Sequence, residues 1–110
     1  MKLIKAIVRP NKVDEVKDAL GTLGVEGITV TEVRGHGKQK GHTAIYRGQE
    51  YMISLMPKME LDIVVGDAMV DEVVKAVTSA ARTGEIGDGR VFVLPVEESY
   101  RIRTGERLRD

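Results

Sequence analysis

Hydrophobic and polar positions alternate from the second residue onward: Ile4, Ala6 and Val8 fall on one side, Leu3, Lys5, Ile7 and Arg9 on the other. That period of two predicts a strand over residues 2–9, because successive side chains of an extended chain leave opposite faces. Pro10-Asn11 supplies a break and an N-cap, and Asp14 falls at the third helical position. Val13, Val16, Leu20 and Leu23 then share one face until Gly24 stops the helix. A short β-branched run from Gly27 to Arg34 predicts a second strand. From Gly35 to about Leu55 no period is sustained and glycines and polar groups dominate, the mark of a long functional loop or a disordered one.

Pattern returns at Pro57, where Met59, Leu61, Ile63 and Val65 alternate with Glu60, Asp62 and Val64 as a third strand. Gly66-Asp67 caps a second helix whose apolar stripe is Val70, Val73, Val74, Val77 and Ala81. Asp71 and Glu72 suit the positive N-terminal end of its dipole and Arg82 the other end, with Gly84 as C-cap. Arg90 to Leu94 reads as a fourth strand ended by Pro95, and Arg101 to Thr104 as a short extended tail. The order βαβ, long loop, βαβ predicts an α+β, ferredoxin-like βαββαβ sandwich with both helices on one face of a four-stranded antiparallel sheet. The first strand is apolar on both sides, so the helix-free face also needs cover. In so small a chain self-association is the natural source.

Composition narrows the picture without redirecting it. The 110 residues are one domain's worth, 42% apolar and 31% charged, as in an ordinary globular chain. Lys plus Arg equal Asp plus Glu at 17 each, so no overall field draws the molecule to nucleic acid or an anionic membrane and any anion site is local. With no cysteine, disulfides and thiolate metal sites are excluded and a reducing, cytoplasmic compartment is the simplest expectation. Lys5 and Arg9 interrupt any signal-peptide core, and no stretch approaches the ~20 apolar residues of a membrane span.

Three segments carry candidate chemistry. In Ala81-Arg82-Thr83-Gly84-Glu85-Ile86-Gly87-Asp88-Gly89-Arg90 three glycines fall between a helix and a strand with a cation at the edge. That composition lets backbone amides approach an anion closely, phosphate above all, although a plain helix-to-strand turn has the same look. Gly35-His36-Gly37-Lys38-Gln39-Lys40-Gly41-His42 sets two lysines and an amide among glycines, as a solvated loop also would. Arg101 and Arg103, if extended, project from one face. His36 and His42 have no nearby carboxylate to complete a zinc site. Ser54, Ser79 and Ser99 have no patterned His partner for covalent catalysis. An RNA-binding module of the same element order needs stacking aromatics, and only Phe92 sits in a strand core. A small phosphate-ester hydrolase shares the fold class and stays open as an alternative.

Gly-Lys-Gln-Lys-Gly-His, Tyr46-Arg47-Gly48-x-Glu50-Tyr51, Pro57-Lys58, Ala-Arg-Thr-Gly-Glu-Ile-Gly-Asp-Gly-Arg and Arg101-Ile102-Arg103-Thr104-Gly105-Glu106 occur here in that order. In order and spacing they resemble the signatures of the PII family of nitrogen-signalling proteins, over essentially the whole chain. The resemblance implies a single signalling domain over residues 1–110, with an effector loop at about 37–55, a phosphate-binding loop at about 82–90 and a C-terminal strand or loop at about 95–110. It implies a homotrimer that is not an enzyme and binds ATP or ADP in clefts between subunits. Ile7, Gly35, Lys38, Gly87, Asp88, Gly89 and Arg90 would meet the nucleotide from one chain, Arg101 and Arg103 from the next, with Thr29, Asp62, Ile63 and Val64 holding ribose and adenine. Magnesium would bridge the ATP phosphates to 2-oxoglutarate with Gln39 as an oxygen ligand, which suits a hard cation. Lys58 would pair with the distal carboxylate, and Gly37, Gln39, Lys40 and Gly41 would hold the other end.

The same resemblance implies an output through loop conformation, a population shift driven by differential binding. Arg47 matches the arginine that enters an ammonium transporter's pore when 2-oxoglutarate is scarce. Tyr51 matches a tyrosine that a nucleotidylyltransferase uridylylates or adenylylates in many bacteria, and regulators of glutamine synthetase are further expected partners. A divergent relative reading adenine nucleotide alone is the nearest alternative. Lys38 stands where an arginine is usual, Arg90 for a lysine, Asp62 and Ala44 for glutamates, and His36 for an aromatic residue. Gln49 stands where some relatives carry a phosphorylated serine. Lys38 lacks the bidentate fork of arginine, which bears on phosphate affinity and on the preference for ATP over ADP.

Overall fold

A computed structural model describes residues 1–36, 43–46, 49–52 and 55–109. Four strands, β1 (Lys2–Val8), β2 (Ile28–Gly35), β5 (Met56–Val65) and β6 (Gly89–Pro95), form one sheet in the order β2-β5-β1-β6, with antiparallel neighbours. Helix α1 (Val13–Thr22) joins β1 to β2 with β5 between them, and α2 (Val70–Ala81) joins β5 to β6 with β1 between them. Two interlocked split βαβ units are the ferredoxin-like plan expected from the periodicity.

The core lies where the apolar positions pointed. Ile4, Ala6 and Val8 of β1 and Leu61 and Ile63 of β5 are buried against Val16 and Leu20 of α1 and Val73, Val77 and Ala81 of α2. Val13, Leu23, Val70 and Val74 pack at its margin. Each fully buried large aliphatic side chain contributes on the order of 1.5–3 kcal/mol, so this one layer is the main source of stability. No helix among the described residues is long and apolar enough to cross a membrane.

The opposite face of the sheet is uncovered within one chain. Register pairs Leu3 with Val64 and Leu94, Lys5 with Asp62 and Phe92, and Ile7 with Glu60 and Arg90, all on that side. Val64, Phe92 and Leu94 are 49%, 43% and 39% exposed. At the centre of this face Lys5 meets Glu60 at 3.5 Å, and the buried Oδ1 of Asp62 has no hydrogen-bond partner among the described residues. Burial, then the charge of Glu60, pushes the Asp62 carboxyl up, against the pull of Lys5.

The structure corrects three local expectations. Asn11 is not the cap of the first helix: Arg9 is the extended residue before it, Pro10 takes the first helical position of a 3-10 turn, and α1 follows from Val13. Proline's fixed φ and missing N–H suit that position. Gly84 does not cap α2, because Arg82 is already extended and the Thr83 and Gly84 amides turn to the Asp88 carboxylate. The run from Arg101 to Thr104 is not extended either. It forms the turn between β7 (Ser99–Tyr100) and β8 (Arg107–Leu108), closed by Arg101 N–H to the Glu106 carbonyl at 2.8 Å and Gly105 N–H to the Arg101 carbonyl at 2.7 Å. Within the long segment after β2, β3 (Thr43–Tyr46) and β4 (Gln49–Met52) pair as an antiparallel ribbon. Thr43, Ile45, Tyr46 and Tyr51 supply β-propensity there, a local signal too short to register as a sustained period.

Candidate functional site

The C-terminal end of β1, the start of β6 and the loop after α2 converge. Ile7 and Val8 of β1 lie opposite Arg90 and Gly89 of β6. A cleft of about 230 Å³ opens beside them, floored by Val77, Ala81 and Val91 and edged by Arg82, Asp88 and Arg90. Gly89 is at φ +109, and a Cβ there would sit 1.7 Å from the Ile7 carbonyl oxygen. Glycine is therefore what lets the loop's end lie directly on the central strand.

Asp88 organises the loop from inside. Its Oδ2 accepts the amides of Thr83 at 2.8 Å and Gly84 at 2.9 Å, and its Oδ1 accepts the Thr83 hydroxyl at 2.5 Å and Arg9 Nε at 3.1 Å. The Thr83 hydroxyl first, with the amides and Arg9 adding to it, holds this carboxyl well below the usual carboxylate range. With four donors already on its two oxygens, the side chain is committed to the loop's fold. A depressed folded-state pKa means stability that is present above the unfolded value of about 3.9 and is lost as pH falls below it. Urea unfolding at pH 5 and pH 3 is accordingly expected to show a smaller loss of stability for Asp88→Asn than for the unsubstituted chain, and an equal loss would contradict the network.

Two cations grip the loop's backbone. Arg9 Nη2 donates to the Ile86 carbonyl at 3.0 Å, and Lys58 Nζ to the Gly87 carbonyl at 2.5 Å. Lys58 is buried, and burial followed by the neighbouring Arg9 charge lowers its pKa, with Asp88 opposing. Among the described residues the Gly87 amide donates to no protein acceptor. Gly84 and Gly87 hold φ of +90° and +102°, so the turn is glycine-dependent at both.

Sequence expectations fall around this point as follows. Ile7, Lys58, Gly87, Asp88, Gly89 and Arg90 gather at it, and Gly35 ends β2 opposite Met56. Thr29 lies opposite Asp62 on the helix-free face with Val64 farther along, whereas Ile63 is buried on the helix side. Arg101 and Arg103 lie in the C-terminal turn, so the shared face inferred from an extended tail does not apply, and no hydrogen bond or ion pair joins their side chains to the loop among the described residues. Tyr51 falls in β4 opposite Ala44. Gly37, Lys38, Gln39, Lys40, Gly41, His42 and Arg47 lie outside the described residues. Among the described residues no cluster of three or more His, Cys, Asp or Glu side chains is placed to hold a metal ion. Sequence reading missed Arg9, which it placed only on the side of β1 shared with Leu3, Lys5 and Ile7. Its sole signal was a cation at the strand's exit.

The family model for nitrogen regulatory protein P-II matches residues 1–106. This chain belongs to that family. It is 54% identical over 107 residues to nitrogen regulatory protein P-II of Rhodospirillum rubrum and, equally, to that of Azospirillum brasilense, covering 97% of this chain and 96% of each relative. Identity to nitrogen regulatory protein P-II of Haemophilus influenzae is 51% over 110 residues, 100% of this chain and 98% of that one. The matched span takes in the glycine loop, Arg9 and Lys58.

Proposed function

We propose that this P-II chain is a cytoplasmic sensor that binds ATP or ADP and, with magnesium and ATP, 2-oxoglutarate. The observation that carries the reading is the loop at 83–89. Gly89, Arg82 and Arg90 line a cleft of about 230 Å³, and two residues before Gly89 the Gly87 amide meets no acceptor among the described residues; backbone amides with adjacent cations are how proteins hold phosphates. Arg90 and Gly87 to Gly89 take the phosphates, and Thr29, Asp62 and Val64 the base and ribose. Asp88 acts through the loop's shape. Gln39 would offer an amide oxygen to magnesium, a hard cation that takes oxygen ligands and would offset phosphate and carboxylate charge.

The working unit is a homotrimer. Its support is the half-exposed apolar band on the helix-free face, the buried Asp62 oxygen within it that finds no partner among the described residues, and a C-terminal turn whose Ile102 is 101% exposed between Arg101 and Arg103. A copy packed on this face covers the band, and the two arginines then complete a neighbour's phosphate site. Lys58 exchanges its Gly87 carbonyl for the distal carboxylate of 2-oxoglutarate, a stronger, charge-assisted partner. The segment at about 37–55 relays occupancy to targets: an ammonium transporter through Arg47, a nucleotidylyltransferase acting on Tyr51, and regulators of glutamine synthetase.

Isothermal titration of 2-oxoglutarate tests this reading. Binding is expected with magnesium and ATP, little or none with magnesium and ADP or without nucleotide, and a loss of at least tenfold in Gln39→Ala or Lys58→Ala. Nucleotide binding without any response to 2-oxoglutarate would leave a sensor of adenine nucleotide alone. No nucleotide binding at all would overturn the assignment.

A further inference from the structure

We infer that Arg9 is a positioning residue that locks the Ile86–Gly87 peptide so that the Gly87 amide faces the bound anion, an inference that rests on the loop being a phosphate site. A chain turn lies over Ile86 and Gly87, and Gly87 at φ +102 occupies a position that non-glycine residues avoid. A positive φ at the third residue is what a type II turn requires, and in that turn the central peptide is flipped relative to type I. With glycine there both orientations are sterically open, so something outside the turn has to choose.

Arg9 makes that choice. In a trans peptide, and the chain has no cis bonds, the carbonyl of one residue and the N–H of the next point in opposite directions. Arg9 Nη2 draws the Ile86 carbonyl to itself at 3.0 Å, which turns the Gly87 N–H the other way, where it meets no protein acceptor among the described residues. The same guanidinium anchors through Nε on Asp88 Oδ1 at 3.1 Å, so the fork is held at one tip and acts with the other. Both bonds join the exit of β1 to a loop almost eighty positions later in the chain. A lysine at position 9 keeps the charge but cannot span two acceptors in fixed geometry.

The test follows amide signals of the full chain labelled with ¹⁵N, for the unsubstituted protein, Arg9→Lys and Arg9→Gln. Each is titrated with magnesium ATP and with inorganic triphosphate, which offers phosphates without a base. In the unsubstituted protein the Gly87 signal is expected to move strongly on adding either ligand. The Thr83 and Gly84 signals, bonded to Asp88, should hardly move. Both variants are expected to lose the Gly87 response and at least tenfold in affinity for either ligand. Full recovery by Arg9→Lys would overturn the inference in favour of plain charge attraction. Should the variants not fold, the unsubstituted protein decides alone: a Gly87 signal that stays still while ligand binds sinks the role of Arg9 and leaves the phosphate site standing. Failure to bind ATP or triphosphate removes both.

Discussion

Gly89→Ala is expected to abolish folding of the isolated chain, or to lower its stability by at least about 4 kcal/mol, the range reserved for changes that break a fold. Two penalties coincide. A φ of +109° disfavours any Cβ, and this Cβ would sit 1.7 Å from the Ile7 carbonyl oxygen and 2.8 Å from its carbon. Those atoms are backbone of the central strand, paired on both sides with β5 and β6, so they cannot step aside as a side-chain tip would. Gly84→Ala is the matched control: φ there is +90°, but nothing lies within 4 Å of the added Cβ. That change is expected to cost only about 1–2 kcal/mol, the price of the left-handed backbone. Urea unfolding of both variants, followed by far-ultraviolet circular dichroism, measures the difference. Equal effects would mean that the close approach of β6 to β1 is not as the structure has it.

Val64→Glu combined with Leu94→Glu is expected to convert an assembled protein into monomers, read by sedimentation velocity. Both side chains flank Leu3 on the helix-free face and neither touches the helix-side core. A monomer should therefore tolerate the change with little loss of secondary structure. Three packed copies would instead have to bury six carboxylates among apolar groups, and an unpaired charge taken from water costs several kcal/mol. Retention of the assembled state would show that the copies meet on another surface and would remove the apolar band as support for the trimer. ATP affinity should fall with dissociation if Arg101 and Arg103 complete the site from a neighbouring chain.

Asp88 shows what the spacing of a motif leaves out. The run from Thr83 to Arg90 looked like a glycine-rich anion loop, and its glycines do hold positive φ. Within it Asp88 stood as one more residue facing phosphate. The structure instead gives its two oxygens four donors, one of them Arg9, seventy-nine positions away. Spacing alone carries no information on which way the carboxylate turns. Lys58 is a similar case: resemblance supplied a role toward a ligand carboxylate, while the folded chain already gives it the Gly87 carbonyl.

The helix and strand expectations succeeded where the signal was local. Ile4, Ala6 and Val8 are buried because alternation in an extended chain sends them to one side, and Val73, Val77 and Ala81 because a period near four lines them along one helical stripe. Those expectations failed where a distant partner competed. Gly84 looked like a helix stop, yet the helix ended two residues earlier because Asp88 captured the amides beyond it. The C-terminal tail looked extended, yet two backbone bonds folded it into a turn.

The amino-acid sequence by itself determined the βαβ, loop, βαβ order of the sandwich, the apolar stripes of its first and third strands and of both helices, the bare sheet face and the family, all of which depend on residues close together in the chain or on their linear pattern. The tertiary structure alone decided what Arg9 and Lys58 do and that Arg9 reaches Asp88, because those hydrogen bonds close over 77, 29 and 79 positions. Direction in space at such separations is set by how β1, β5 and β6 are laid side by side, and no local period encodes that.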